Sequence, residues 1–274
     1  MVVFPNAKIN LGLNITSRRA DGYHILTSIM LPIGWHDILE IVPSNEGSTT
    51  LIVSGNKVDC PPESNLVMKA YRALAEKTKL PHVNIYLRKI IPDGAGLGGG
   101  SADAAFTLKA LNSMFNLGFT DDKLAELATT LGADCPFFIY NRPMIAEGIG
   151  TDLTPTDIPI LPGKTLLVVK PDIHISTAQA YAGVTPRTPN KALPDLIKSP
   201  IGEWRENIIN DFEYSLRDKF PQIENIKQSL YNGGALYSSL SGSGSAVYGI
   251  YENDKMAETT KHSLGSYTSF ICKL

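Results

Sequence analysis

Five of the seven residues from Gly94 to Gly100 are glycine. No regular strand or helix favours such a run, because glycine gives up more backbone freedom on folding than any other residue. The run makes sense where backbone N–H groups must come close to a ligand. Val83 to Ile91 reads as a strand ahead of it. The apolar positions Ala104, Ala105, Leu108 and Leu111 predict a helix over 101–115 directly after it. A glycine loop feeding a helix N-terminus points unpaired N–H groups and the positive end of the helix dipole at one spot, which suits phosphate. A simple strand-to-helix turn needs only one or two glycines.

Several phosphate ligands fit such a loop. Gly94-x-Gly96-x-x-Gly99 formally satisfies the dinucleotide fingerprint. However, the predicted helix gives way to another helix and not to a second parallel strand, which argues against a Rossmann unit. No Gly-Lys-Ser/Thr follows the loop, so it is no Walker A motif. His-Arg-Asp and Asp-Phe-Gly are both absent, which excludes the protein-kinase pattern.

Around the loop, strands and helices mix without strict alternation, so the fold class is α+β. Strands are predicted at 8–15, 25–33, 37–42, 50–53, 136–140, 166–169, 235–240, 246–251 and 267–272. A helix N-capped by Ser64 carries Leu66, Val67, Ala70, Tyr71 and Leu74 on one face. Another carries Leu124, Leu127, Ala128 and Leu131. Further helices are placed at 207–219, 221–232 and 254–264. The proline-rich stretch 154–163 reads as a linker, which divides the chain into 1–155 and 156–274. The stretch 184–203 reads as a loop with a short helix.

Composition removes other classes. Lys plus Arg is 25 against 27 for Asp plus Glu, so the clear basic excess of a nucleic-acid binder is missing. No apolar run approaches a membrane span, and the N-terminus has no signal-peptide pattern. The expected location is the cytoplasm. Three widely spaced cysteines (Cys60, Cys135, Cys272) and five histidines give neither a disulfide framework nor metal-ligand spacing. Asn14-Ile15-Thr16 matches a glycosylation acceptor, a chance match without a secretory signal. Cys135 is read as a small buried filler.

Three segments in order are more specific than any one: Asn6-Ala7-Lys8-Ile9-Asn10-Leu11-Gly12-Leu13, the loop Pro92-x-Gly94-x-Gly96-Leu97-Gly98-Gly99-Gly100-Ser101, and Leu240-Ser241-Gly242-Ser243-Gly244-Ser245-Ala246. Together they resemble the GHMP small-molecule kinases, the family of galactokinase, homoserine kinase, mevalonate kinase and phosphomevalonate kinase. Arg19-Ala20-Asp21-Gly22-Tyr23-His24, Gly132-Ala133-Asp134-Cys135-Pro136 and Ala146-Glu147-Gly148-Ile149-Gly150 are similar to the branch that phosphorylates a cytidyl-bearing alcohol. The likeness spans nearly the whole chain but is thin over 184–206.

The resemblance implies a two-domain fold with the active site between the domains, ATP with Mg²⁺, and a small-molecule alcohol as the other substrate. It casts Asp134 as the base that takes the hydroxyl proton and Lys8 as its cationic assistant. Gly94, Gly96, Leu97, Gly98, Gly99, Gly100 and Ser101 would cradle the ATP phosphates, with Asn65, Leu66 and Lys89 on the adenine side. Asn10 and His24 would hold the substrate, and Tyr23 and Tyr181 would flank its cytosine. No dedicated metal ligands are implied. Gly242 and Gly244 fit either an approach to the active site or an ordinary hairpin turn. The segment Asn210-Asp211-Phe212-Glu213 reads as structural. Three other readings remain: a GHMP kinase of homoserine or mevalonate type, a catalytically silent nucleotide binder, and a nicotinamide-dependent oxidoreductase.

Overall fold

In Val83–Lys89 the side chains of Val83, Ile85 and Leu87 are buried while Tyr86 is exposed, the period-two pattern of a strand with one face on a core. The computed structural model describes all 274 residues. They form two units. The first comprises Met1–Ala7, Trp35–Asp93 and Gly98–Arg142, and the second Lys8–Gly34, Gly94–Leu97 and Pro143–Leu274. A single cut after residue 155 therefore falls inside the second unit, because Lys8–Gly34 folds with the C-terminal part.

The first unit holds one sheet in the order Val2–Val3, Ile38–Pro43, Val83–Lys89, Thr50–Gly55. Thr50–Gly55 runs parallel to Val83–Lys89, and the other neighbours are antiparallel. A parallel pair needs a crossover, here containing the helix Leu66–Ala75. That helix packs on Gly99–Met114, with Asp121–Thr129 and Cys135–Tyr140 alongside. Val67, Leu74, Leu108, Leu111, Phe137 and Phe138 are buried between them.

The second unit holds two sheets. One runs Asn6–Arg18, His24–His36, Met144–Glu147, Asp152–Pro155. The other is antiparallel throughout, in the order Tyr237–Leu240, Val247–Tyr251, Thr165–Lys170, Thr268–Lys273. On the latter, Ile223, Ile226 and Leu230 of helix Pro221–Asn232 and Ala257 of Asp254–Ser263 join Leu167, Val169 and Val247 in one hydrophobic cluster. Helices and strands mix in both units without regular alternation, as the α+β class requires.

Several local expectations are corrected. The segment 136–140 is helical, as Cys135–Tyr140, and not a strand. A short, wholly apolar run carries no periodicity to separate the two, and Pro136 opens a helix well. Asn65, not Ser64, caps Leu66–Ala75, its side chain accepting from Val67 N at 2.9 Å. The helix placed at 207–219 is broken into Trp204–Asn207 and Phe212–Leu216. Between them the backbone is diverted to pair with Leu13: Leu13 N donates to Ile209 O at 3.0 Å and Asp211 N to Leu13 O at 2.8 Å. The stretch read as a linker contributes the strand Asp152–Pro155, paired with Met144–Glu147. Asn14 lies buried within the strand Asn6–Arg18, out of reach of glycosylation.

Candidate active site

In the first unit, Gly98 adopts a left-handed backbone (φ 72°) and leads into the helix Gly99–Met114. The first helical bond near this end runs from Ala102 N to Gly98 O at 2.9 Å, which leaves the N–H groups of Gly99, Gly100 and Ser101 at an open helix end. Packing is tight at Gly99 and ordinary at Gly100. A Cβ on Gly99 would lie 3.1 Å from Ile91 Cγ2 and 3.2 Å from Lys89 Nζ, and one on Gly100 would lie 3.6 Å from Leu66 Cδ1. The Asn65–Leu66 turn therefore lies beside the loop. A pocket of about 320 Å³ in this unit has Val53, Val58, Cys60, Pro62 and Asn65 in its lining.

Asp134 occupies the N-cap position of Cys135–Tyr140, yet its side chain makes no capping bond. The carboxylate is therefore not there to hold that helix. A Cβ on Gly132 would lie 3.4 Å from Cys135 Sγ and 4.0 Å from Ser101 Oγ. Thus the Gly132–Cys135 turn packs against the start of the glycine-loop helix. Cys135 is fully buried, and burial pushes its thiol up to about 11. It is a filler and not a thiolate near neutral pH.

Beneath that helix lies a buried charge cluster. Lys89 Nζ donates to Asp103 Oδ2 at 2.7 Å and to Asp37 Oδ2. Asp37 Oδ1 also accepts from Ile91 N at 2.9 Å. All three side chains are at most 3 % exposed. The Lys89 ammonium, expected on the adenine side, is thus committed to the carboxyl groups of Asp37 and Asp103 under Gly99. Burial pushes Lys89 down, but the carboxylates of Asp103 and Asp37 more than reverse this and raise it. Asp103 is short of partners, since its Oδ1 is buried with none. Burial, opposed by Lys89 and reinforced by Asp37, lifts its carboxyl to about 8.

A free Asp titrates near 3.9, so between about pH 4 and 8 the folded chain holds a proton that the unfolded chain has released. The contribution of Asp103 to stability is therefore full below pH 4 and lost as pH rises to about 8. Asp103→Asn keeps the shape without the titration and should flatten that decline. Urea unfolding at about pH 5 and about pH 8 measures it, and an unchanged slope would place the proton elsewhere.

The second unit assembles around the carbonyl of Gly96. Lys8 Nζ donates to it at 3.0 Å and Ser241 Oγ at 2.9 Å. Lys8 Nζ also donates to Asn10 Oδ1 at 2.6 Å, and Asn10 Nδ2 donates to Ser28 Oγ at 2.8 Å. Lys8 and Asn10 are both buried and lie two residues apart on one strand, so they share a face. The backbone is fixed nearby by bonds from Lys8 N to Leu97 O (2.9 Å) and from Ala246 N to Ala95 O (3.0 Å).

The turn at 241–245 joins the paired strands Tyr237–Leu240 and Val247–Tyr251, and it also reaches this cluster. A Cβ on Gly242 would lie 3.2 Å from Asn10 Oδ1 and 3.4 Å from Lys8 Nζ. Gly242 thus belongs to a hairpin turn that also lies against Lys8 and Asn10. Asn210 Nδ2 anchors the turn on the carbonyls of Leu240 and Gly242 (2.9 and 2.8 Å), and Glu213 Oε1 accepts from Leu240 N at 2.8 Å. Asn210 and Glu213 are structural, as the sequence suggested.

Gly96 has the least room. A Cβ there would lie 2.0 Å from Ser241 O, at a φ of +76°. Gly96→Ala should cost about 1–2 kcal/mol for the left-handed backbone and a further 1–3 kcal/mol for overpacking, with a raised KM for ATP. Wild-type stability and KM would show that the two turns can move apart freely.

Sequence reasoning missed Ser28, Asp37, Asp103, His174 and Ser241. His174 lies against the loop, 3.2 Å from a Cβ built on Gly94. Only Ser241 stands in one of the three motif segments, with no role given to it there, and three-dimensional contacts bring in all five.

His24 and Tyr181 come together, their rings stacked at 4.7 Å and 21°, and Tyr181 meets Phe212 edge-on. Burial and the charge of Arg18 lower His24, which favours its neutral form. Tyr23 is presented at 62 % exposure by a turn in which Arg19 N donates to Tyr23 O (2.7 Å) and Tyr23 N to Asp21 Oδ1 (3.2 Å).

This constellation has counterparts in known proteins. Residues 65–142, which contain the glycine loop and Asp134, match the GHMP kinases N terminal domain, and residues 192–267, which contain the Gly242 turn, match the GHMP kinases C terminal domain. A 4-diphosphocytidyl-2-C-methyl-D-erythritol kinase from Bacteroides fragilis is 50% identical over 257 residues, 93% of each chain. One from Cytophaga hutchinsonii is 45% identical over the full length of both. The crystal structure of a 4-(cytidine 5′-diphospho)-2C-methyl-D-erythritol kinase superimposes with a TM-score of 0.85 at 31% identity, covering 99% of this chain and 98% of that one. With identity of this degree sustained from end to end, the chain belongs to the 4-diphosphocytidyl-2-C-methyl-D-erythritol kinases of the GHMP kinase family.

Proposed function

We propose that this protein transfers the γ-phosphoryl group of ATP to the 2-hydroxyl of 4-diphosphocytidyl-2-C-methyl-D-erythritol, a step of the non-mevalonate isoprenoid route. The observation that carries this is the open helix end at Gly99–Ser101 with the Gly132–Cys135 turn packed on it, which supports reading Asp134 as an acid next to a phosphate cradle.

Phosphoryl transfer needs positioning and charge compensation more than covalent chemistry. Asp134 is assigned the hydroxyl proton. Lys8, buried and aligned by Asn10 and the Gly96 carbonyl, offsets the negative charge that develops on the oxygen. The N–H groups of the loop from Gly94 through Gly96, Leu97 and Gly98 to Gly100 and Ser101 hold the phosphates. Asn65 and Leu66 border the adenine in the pocket beside them, and Lys89 acts from beneath by fixing the helix start. Asn10 and His24 orient the alcohol, while Tyr23 and Tyr181 supply aromatic faces for the cytosine.

Mg²⁺ bound with ATP neutralises phosphate charge. In this reading the ion would be held mostly by the phosphates and water. No helix is long and apolar enough to cross a membrane. The proposed location is the cytoplasm, a reading supported by an ATP-consuming reaction on a small metabolite.

An ADP-release assay with Mg²⁺-ATP and, separately, the cytidyl alcohol, mevalonate, homoserine and galactose tests the reading. Turnover on the cytidyl alcohol alone is expected. Turnover on another of the four, or on none, would remove it.

A further inference from the structure

The strand Asn6–Arg18 carries a second polar site beyond Lys8 and Asn10. Its outer side is covered by the stretch 187–209, the part of the sequence with the thinnest family likeness. At Gly12 the cover is tight: a Cβ would lie 2.8 Å from Leu193 Cδ1 and 2.9 Å from Ile208 Cγ2. Two residues on, Asn14 lines an open cavity of about 410 Å³. Asn14 is only 8 % exposed, and neither end of its amide has a hydrogen-bond partner in the protein. Its amide atoms open on the cavity, where water or a ligand supplies the bonds that the protein does not.

The walls are polar. Arg187, Asn190 and Lys191 line the cavity with Glu206 and Asn207. Arg187 is held rigid although its side chain is half exposed. Its Nη2 donates to Asp211 Oδ1 at 2.8 Å, its N–H donates to Ile15 O at 2.9 Å, and its guanidinium lies 4.7 Å from the Tyr214 ring centre. The Asp211 carboxylate is fixed in turn, accepting from Ile15 N at 2.7 Å. Asp211 thus offsets the charge of Arg187 and leaves Lys191 as the cation without an ion pair.

A hydroxyl group is the simplest partner that both donates to and accepts from an amide, and this cavity lines up three amides. Its volume is in the range of small-molecule sites, about 300–1,000 Å³. The geometry points to a second ligand site here, for a small polyhydroxylated molecule bearing one anionic group, with hydroxyls on Asn14 and its neighbours and the anion at Lys191. The residues involved take no part in the kinase chemistry assigned above, so the site stands apart from that reading.

Ribose 5-phosphate is the probe, observed by saturation-transfer NMR on the whole protein with saturating ADP to occupy the glycine loop. The expected result is a dissociation constant no weaker than about 10 mM. Asn14→Leu and Lys191→Ala should each weaken it by about tenfold, with KM for ATP unchanged. Lys191 is on the surface, so its variant stays informative if Asn14→Leu misfolds. No binding, binding abolished by ADP, or equal binding by Lys191→Ala would overturn the site. Equally tight binding of ribose alone, or of inorganic phosphate alone, would overturn the ligand class.

Discussion

Asp134→Asn is expected to lower kcat by about 10²–10⁴-fold, the usual worth of a positioned general base, while leaving ATP affinity close to wild type. Asparagine preserves the volume and the turn, and the side chain makes no capping bond that the substitution could break. The proposed phosphate cradle consists of backbone N–H groups at Gly99–Ser101, which the change does not touch. Single-turnover kinetics separate the chemical step from release, and a nucleotide titration reports binding. A variant with near-normal turnover would remove Asp134 from the role of base. A variant with proportionate loss of ATP affinity would make it a loop-positioning residue.

Lys89→Met should be strongly destabilising. It leaves the carboxyls of Asp37 and Asp103 buried without their shared cation, and breaking a buried ion pair from one side costs about 3–5 kcal/mol. Methionine fills the space of the aliphatic stem, so the loss reads as electrostatic and not as a cavity. Denaturant unfolding measures it. Adding Asp103→Asn to Lys89→Met should recover part of the loss, since residues of one network are not additive. A single variant within about 1 kcal/mol of wild type, as for an exposed pair, would show that water reaches the cluster. Because Lys89 Nζ lies under Gly99, a raised KM for ATP should accompany the lost stability.

The parts of this site that were legible in the sequence are those where chemistry restricts residue type along a continuous stretch. A glycine run before a helical pattern announces a phosphate loop, and the alternation from Lys8 to Ile15 places Lys8 and Asn10 on one face. Long, periodic elements such as Gly99–Met114 and Pro221–Asn232 were visible for the same reason. Cys135–Tyr140 was not, because burial on all sides erases the polar face that distinguishes helix from strand. The break at 208–211 was hidden because it is caused by Leu13, nearly two hundred residues upstream in the chain. The environment of Lys89 was hidden too, since neither Asp37 nor Asp103 stands at a spacing that marks it as a partner. The unit division could not be read from a proline-rich stretch, because a strand hairpin near the N-terminus folds with residues after Pro143.

The carbonyl of Gly96 has a consequence for how the protein comes into being. Its two side-chain donors, Lys8 and Ser241, lie 88 and 145 residues away in sequence, so the loop depends on contacts of the slowest kind to form. Every residue assigned to the nucleotide stands before position 102, yet a chain emerging from the ribosome cannot set this loop until the hairpin around Ser241 has been made. A nascent or C-terminally clipped chain should therefore be blind to ATP, and the capacity to bind nucleotide arrives only with the final part of synthesis.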